Sequence, residues 1–456
     1  MSFIDRYGSL FRTRAHDNAV VAQRYLQGLA QAATATFTVM AAVVEDGCEQ
    51  QFQHFISNSP WRHEPVVEQI GRDADRLLGG KPNSALIIDE SSFPKQGDRS
   101  VGVARQWCGR LGKIDNCQVA VFAVLTDGGR HTPVDMRIYL PERWIADPQR
   151  CDLAEVPLPA RRLRSKSQLA LEMVRAARVR GMRFGWVGAD GGYGKEPAFL
   201  RALEDAGEVL VADVHCTQRV WREAPGLHVP VPKATRGRPP SRQRAAADDV
   251  TVARLVTELR AKEWTRCTLR DSTRGPLTVD IAHRRVWVWD GVEAAARCWH
   301  LIVRREVGAP GRIKFSLSNA APETSPQRLA EMQGQRYGVE RAFEDAKGEC
   351  GLADYQALGW RVPSDLAPAS AASTLERTGG SIRPPPGWQG RSRSGEGRVL
   401  CGGRRGRVGC GGNGGGGSCG ARRGRDRTGR PTWGTGSRAW AGIGLSSPGD
   451  LVPACY

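Results

Sequence analysis

The sequence predicts an α/β protein: a mixed-sheet core with a helical N-terminal domain, a β-rich insertion and a disordered C-terminal tail. Three observations predict this. Short apolar runs, Leu86-Ile87-Ile88 and Cys117 to Leu125, have the length of buried strands and alternate with helical texture. Two strand-like runs each end in a carboxylate, Asp89 and Asp190. At about Arg361 the composition turns to Gly and Arg, and no helical or strand period survives.

At 456 residues the chain has ample length for a large core and roughly two to three domains. Its formal charge of +18 and pI near 9.8 favour a polyanionic partner, most often nucleic acid. Charge alone does not separate DNA from RNA or from an anionic membrane. Arg outnumbers Lys 57 to 9, which also fits G+C-rich coding, so the Arg excess carries little weight. The 12 Cys form no CxxC pair, which reads as reduced thiols in a cytosolic protein. Charges at Asp5, Arg6, Arg12 and Arg14 argue against a signal peptide. No apolar run reaches membrane-spanning length, so a soluble, cytoplasmic and nucleoid-associated protein is expected, with no membrane and no small-molecule substrate.

Residues 1–80 read as the helical N-terminal domain, which either binds DNA or packs on the core. Val20 to Val44 has helical spacing and no proline, and a second helix spans Glu64 to Leu78, ended by Gly79-Gly80 and Pro82. Residues 81–208 read as the first part of the core. Gln118 to Leu125 and Val134 to Leu140 pair as a hairpin across Asp127-Gly128-Gly129. Ser167 to Arg180 is an amphipathic helix. Phe184 to Asp190 is a strand ending in an acid, and the following Gly191-Gly192-Tyr193-Gly194 lets backbone approach whatever binds there, or is a plain turn. Strand, hairpin, helix, strand, with acids on two strand ends, is the outline of a ribonuclease-H-like core.

Residues 209–320 read as the β-rich insertion, with strands at Val209 to Val214, Leu277 to Ile281, Arg285 to Trp289 and His300 to Arg304, and a helix at Val252 to Ala261. Within it, Arg236-Gly237-Arg238-Pro239 resembles a minor-groove hook. Arg236 and Arg238 are therefore groove candidates, against a plain basic linker. Residues 321–360 close the core with a helix over Gln335 to Cys350. Arg336, Glu340 and Lys347 fall within about 60° of one another on it, as a carboxylate beside phosphate-binding cations would, and as surface ion pairs would too.

Taken in order, IIDESSFPKQG, SVGVARQWCGRLGKIDNCQVAVF, YLPERW, WVGADGGYG and RYGVERAFEDAKGECGLADYQ resemble the insertion-sequence transposases of the IS701 group, DDE superfamily endonucleases with a ribonuclease-H-like fold. The resemblance runs from about Tyr25 to Trp360. It implies that Asp89, Asp190 and Glu340 are the catalytic Asp-Asp-Glu triad, and that Arg336, Glu340 and Lys347 match the last three members of a Tyr-Arg-Glu-Lys signature. Gln333 stands where the signature has Tyr.

The resemblance implies two Mg²⁺ ions, with Mn²⁺ able to substitute, held by Asp89, Asp190 and Glu340, since hard cations prefer carboxylates to His or Cys. Asp89 would bridge both ions. The expected partner is double-stranded DNA, both element ends and target, bound by a homodimer. One site would nick the element end and join the freed 3′-hydroxyl to target. Lys347, Arg336, Lys95, Arg105 and Lys113 are candidate phosphate contacts, or ordinary solvated charges. Glu90 should point to the opposite face from Asp89. Asp213 and His215 line the cleft or are satisfied structurally. Cys108 and Cys117 make a poor zinc site, and Trp221, Trp287, Trp289 and Trp299 read as core before base-stacking.

Residues 361–456 hold 24 of the 54 Gly, 15 Arg and no Lys, too little apolar surface for a core. The expectation is a frameshifted tail near Trp360, with an Arg-Gly nucleic-acid-binding tail as the alternative. Three functions compete: a transposase whose activity the tail impairs, a DNA-binding relic acting as an inhibitor, and a ribonuclease-H-like nuclease that cuts without integrating.

Overall fold

The computed structural model describes residues 3–32, 34–231, 240–272, 275–348, 351–352 and 358–360. Arg236, Arg238 and residues 361–456 lie outside the described residues.

After a short helix at Phe3–Gly8, the helical N-terminal part continues with α1 (Ala19–Gln31) and α2 (Phe37–Val43). The single helix expected over Val20 to Val44 is therefore broken. Thr36 caps α2 by accepting from the Val39 N–H, and Gly28 lets Met40 pack against α1. A side-chain cap competes with helix propagation, and here it wins. Next come α3 (Glu49–Ser57) and α4 (His63–Leu78). On α4 the buried residues Val66, Ile70, Ala74 and Leu78 recur at helical spacing and share one apolar core with Ile88, Val121 and Val134 of the sheet.

The sheet opens with β1 (Ala85–Pro94), β2 (Ala104–Cys108), β3 (Lys113–Thr126) and β4 (His131–Ile138). The β3–β4 hairpin forms across Asp127-Gly128-Gly129 as expected. Then α5 (Lys166–Val179), begun by a Ser165/Gln168 capping box, leads to β5 (Trp186–Ala189), the single-turn α6 (Gly191–Gly194), α7 (Pro197–Asp205) and β6 (Leu210–Val214). β1 is antiparallel to β3 and parallel to β5, and β5 is parallel to β6. The order β4-β3-β1-β5-β6 is the mixed sheet of a ribonuclease-H-like core.

After the short α8 (Val252–Thr257) come β7 (Thr265–Ser272), β8 (Gly275–Val288), β9 (Arg297–Glu306) and β10 (Ala309–Ser318), all antiparallel. β10 pairs with β6, so these strands extend the core sheet, and β6 itself, grouped with the insertion in the sequence, is a core strand. Leu277 to Ile281 and Arg285 to Trp289, expected as separate strands, belong to one, because pairing with β9 runs unbroken from Val279 to Val288. Two helices follow, α9 (Pro326–Gly334) and α10 (Tyr337–Gly348), so the expected helix from Gln335 begins two residues later, with Gln335 and Arg336 in a turn.

Alternation along β1 sorts the layers. Ile88 faces α4 and α5, while Ile87 joins Leu329, Met332, Val339 and Ala342 of α9 and α10 on the other side. Cys48, Cys108, Cys117, Cys151, Cys267 and Cys298 are free thiols, as expected. Cys216 departs from that reading, being disulfide-bonded, and no pairing pattern in the sequence marks it. Among the described residues no helix is long and apolar enough to cross a membrane.

Candidate active site

Ile88 and Ala189 are the last pair between β1 and β5. β5 stops there, while β1 continues beside β3 to Pro94. Asp89 therefore lies within a strand and not at its end, and it is the termination of β5 that opens a cleft beside it. Asp190, the next residue after β5, is the N-cap of α6: its Oδ1 accepts from the N–H of Gly192 (3.0 Å) and of Tyr193 (3.3 Å). The Gly-rich stretch is thus a helical turn. A Cβ at Gly194 would run into the Asp213 backbone carbonyl, so only glycine lets this turn sit against β6.

The parallel register sets Asp89 and Asp190 side by side. Burial and the charge of Asp190 push the Asp89 carboxyl up to about 7, against the pull of Arg336. Burial raises Asp190 as well, although the α6 N–H groups and Arg336 oppose it. Glu90 points the other way and pairs with Lys166 of α5 at 2.7 Å, as the strand period requires.

Arg336 is the hub of the site. Its Nη1 lies 3.5 Å from Asp89 Oδ2, its Nη2 3.0 Å from Glu340 Oε1 and its Nε 3.1 Å from Asp213 Oδ2. One guanidinium head therefore bridges the strand aspartate and the helix glutamate. Glu340, in the first turn of α10, keeps 52 % of its side chain exposed, against 14 % for Asp89. Asp213 is the acid that sequence reasoning left undecided. It ends a third apolar run, as Asp89 and Asp190 end theirs, and that repetition was the available signal. Ser316 donates to its Oδ1 (2.6 Å), and Gln333 Nε2 donates to Ser316 (2.7 Å). The residue in the signature's tyrosine position thus anchors a polar chain behind Arg336. His215 turns away to Thr217.

The other cations are spread more widely. Lys347, in the last turn of α10, sits 5.5 Å from the Phe93 and Phe343 ring centroids, and burial with nearby Arg110 holds its ammonium below its ordinary value. Lys95 is only 6 % exposed, and burial lowers it to about 8. Arg105 is exposed on the β2–β3 hairpin, and Lys113 pairs with Asp115 at 2.9 Å. That hairpin also presents the cross-strand pair Trp107 (55 % exposed) and Ile114 (61 % exposed), which the sequence reading passed over. Of the four tryptophans considered for base-stacking, Trp221 and Trp299 are buried, the latter donating to Glu204.

Among the described residues no three His, Cys, Asp or Glu side chains stand close enough to hold one ion, since the Arg336 guanidinium lies between Glu340 and Asp89. The Asp89–Asp190 pair nevertheless fits a hard divalent cation. It offers two crowded oxygen donors whose raised affinity for protons is what a neighbouring positive charge relieves. The buried Tyr193 hydroxyl, which feels the charge of both acids, has no hydrogen-bond partner among the described residues.

A sequence-family profile described as "DDE superfamily endonuclease" matches residues 7–276, more than half of the chain, and ends before Glu340. The chain is 22 % identical over 360 residues to the "Probable transposase for insertion sequence element IS701" of Microchaete diplosiphon, covering 78 % of this chain and 82 % of that protein. The crystal structure of the NurA nuclease from Sulfolobus solfataricus aligns with 66 % of this chain and 83 % of that one, at 11 % identity and a TM-score of 0.23.

Proposed function

Because this chain belongs to the DDE superfamily endonucleases, we propose that it is the transposase of an insertion sequence, cutting the element's ends and joining the freed 3′-hydroxyl to target DNA. The observation that carries this reading is the convergence of Asp89, Asp190 and Glu340, from two strands and a distant helix, around Arg336. DNA is the partner, and a homodimer would hold the two ends together.

Asp89 and Asp190 would hold Mg²⁺, or Mn²⁺ in its place, with Glu340 completing the set. The ion supplies Lewis acidity at the scissile phosphate. The chain's own groups do the rest. Asp89 gains its full charge when a cation stands beside it. Arg336 and Lys347 offer positive charge to the phosphate oxygens, while Lys95 lies deeper. Water attacks phosphorus as the bond to the 3′-oxygen breaks. In the second step the freed 3′-hydroxyl attacks a target phosphodiester, and that strand's 3′-oxygen leaves with a proton. On the β2–β3 hairpin, Arg105 shares a face with Trp107, pairing a cation for backbone with a flat ring for a base, and Lys113, on the other face, is proposed as a further backbone contact. Arg236 and Arg238 are proposed as minor-groove contacts.

The test is a Mg²⁺-dependent cleavage assay on duplexes spanning the DNA at either end of the coding segment. Wild type should nick the end and yield a joined product, while Asp190→Ala should bind but not cut. Nicking without joining would reduce the reading to a nuclease. Binding alone would make the chain an inhibitor, the outcome expected if the tail impairs the site.

A further inference from the structure

A second group of cations stands beyond Arg336, on the insertion's side of the same cleft. β9 and β10 place Arg304 opposite Lys314, two residues along β10 from Ser316, which pairs with Asp213 of β6. Across the cleft, the Arg270 guanidinium lies 3.7 Å from the centre of the Tyr337 ring, next to Arg336 in the chain. Together with Arg336 and Glu340 these residues line a space of about 130 Å³. That is ample for several waters or a phosphate group.

What marks these cations is that they are left together. Elsewhere on β7 to β10 several arginines are matched with acids, Arg266 and Arg305 sharing Asp280, Arg284 meeting Glu263 and Arg297 meeting Glu204, while Arg285 and Arg312 stand singly without an ion pair among the described residues. Arg270, Arg304 and Lys314 form no ion pair among the described residues, although Glu306 lines the same cleft. Arg336 is committed to three carboxylates. Like charges gathered in a concave, half-buried space repel one another, and an anion entering it removes that cost.

We propose that Arg304 and Lys314, with Arg270 at the rim, bind a backbone phosphate of the DNA strand that passes through the catalytic site. The insertion then does more than widen the sheet: it holds the strand at one side of the scissile bond, and Arg336 faces both phosphates. This rests on the DNA-cutting reading above. A phosphodiester is the ligand class because the space adjoins the proposed phosphoryl-transfer acids and four cations line it against three carboxylates, Asp213, Glu306 and Glu340, of which Arg336 already holds two.

The experiment is equilibrium binding of the full chain to a labelled duplex spanning one end of the coding segment, over a range of salt. Each phosphate contact contributes about 0.9 to the slope of log K against log salt on duplex DNA. Lys314→Gln, at an exposed position, should flatten the slope by about 1 and weaken binding equally for related and unrelated duplexes. Arg304→Gln should flatten it similarly, and the double variant by about 2, while Lys314→Arg keeps the wild-type slope. Asp190→Asn should also keep that slope while failing to cut. A wild-type slope in both Lys314→Gln and Arg304→Gln, in a preparation whose wild type cuts DNA, overturns the assignment. A wild type that neither binds nor cuts overturns the DNA-cutting reading itself, and this inference with it.

Discussion

Burial and mutual repulsion place a cost on the Asp89–Asp190 pair that Arg336, which touches three carboxylates at once, only partly offsets. The cost has a measurable sign. Asp89 rises from the ordinary 3.8 to about 7 in the folded chain. Between about pH 4 and pH 7 the folded state keeps a proton that the unfolded chain has released. Stability therefore falls as pH rises through that window and is not regained above it. Asp89→Asn removes the titration. In chelator, the variant should match wild type near pH 4 and exceed it by roughly 1–3 kcal/mol at pH 8. A gap in thermal unfolding that does not change with pH would contradict this origin of the strain. Much of the site at this scale was legible. Asp89 and Asp190 each follow an apolar run, and Arg336, Glu340 and Lys347 share helical spacing. The burial of Lys95 was not legible, because whether a cation after a strand faces water depends on partners such as Asn116, far away in the chain.

At the scale of elements, the junction of β5, α6 and β6 decides where Asp190 points. Two Asp190 hydrogen bonds hold the turn, and Gly194 lets it lie against the Asp213 carbonyl. Gly194→Ala should cost about 1–3 kcal/mol, as overpacking does in a filled interior. It should also slow cutting by more than the lost fraction of folded protein explains, because the displaced turn carries Asp190 and the Asp213 support of Arg336 together. Cutting that falls only in proportion to folded protein would show that the turn does not position the acid. The sequence marked this junction as Gly-rich but did not reveal a helical turn, since the cap comes from Asp190 itself. The break between α1 and α2 was hidden for a similar reason. A Thr36 side chain settles it, in a stretch whose composition favours helix throughout.

Across the whole molecule, the net charge of +18 and the mixed core sheet pointed to a nucleic-acid enzyme before any contact was known. The order of the strands was less accessible. Apolar period identifies a strand, but which neighbour it takes is a matter of long-range pairing, so β6 and the antiparallel β7 to β10 read as a separate insertion when they continue one ten-stranded sheet of the described residues. That continuity puts the Arg304–Lys314 cleft and the proposed catalytic aspartates on one sheet, which suits a protein that must hold a stiff duplex while one bond in it breaks.

The central claim is that Asp89, Asp190 and Glu340 work as a single phosphoryl-transfer site, and groups that act as a unit lose activity non-additively. The most direct measurement is the cutting rate of Asp89→Asn, Asp190→Asn, Glu340→Gln and the triple variant on one end-bearing duplex in Mg²⁺. All four should fall to the same residual rate, at least about 10³-fold below wild type, with DNA binding retained. Losses that multiply from single to triple variant, or any single variant that cuts like wild type, would contradict it.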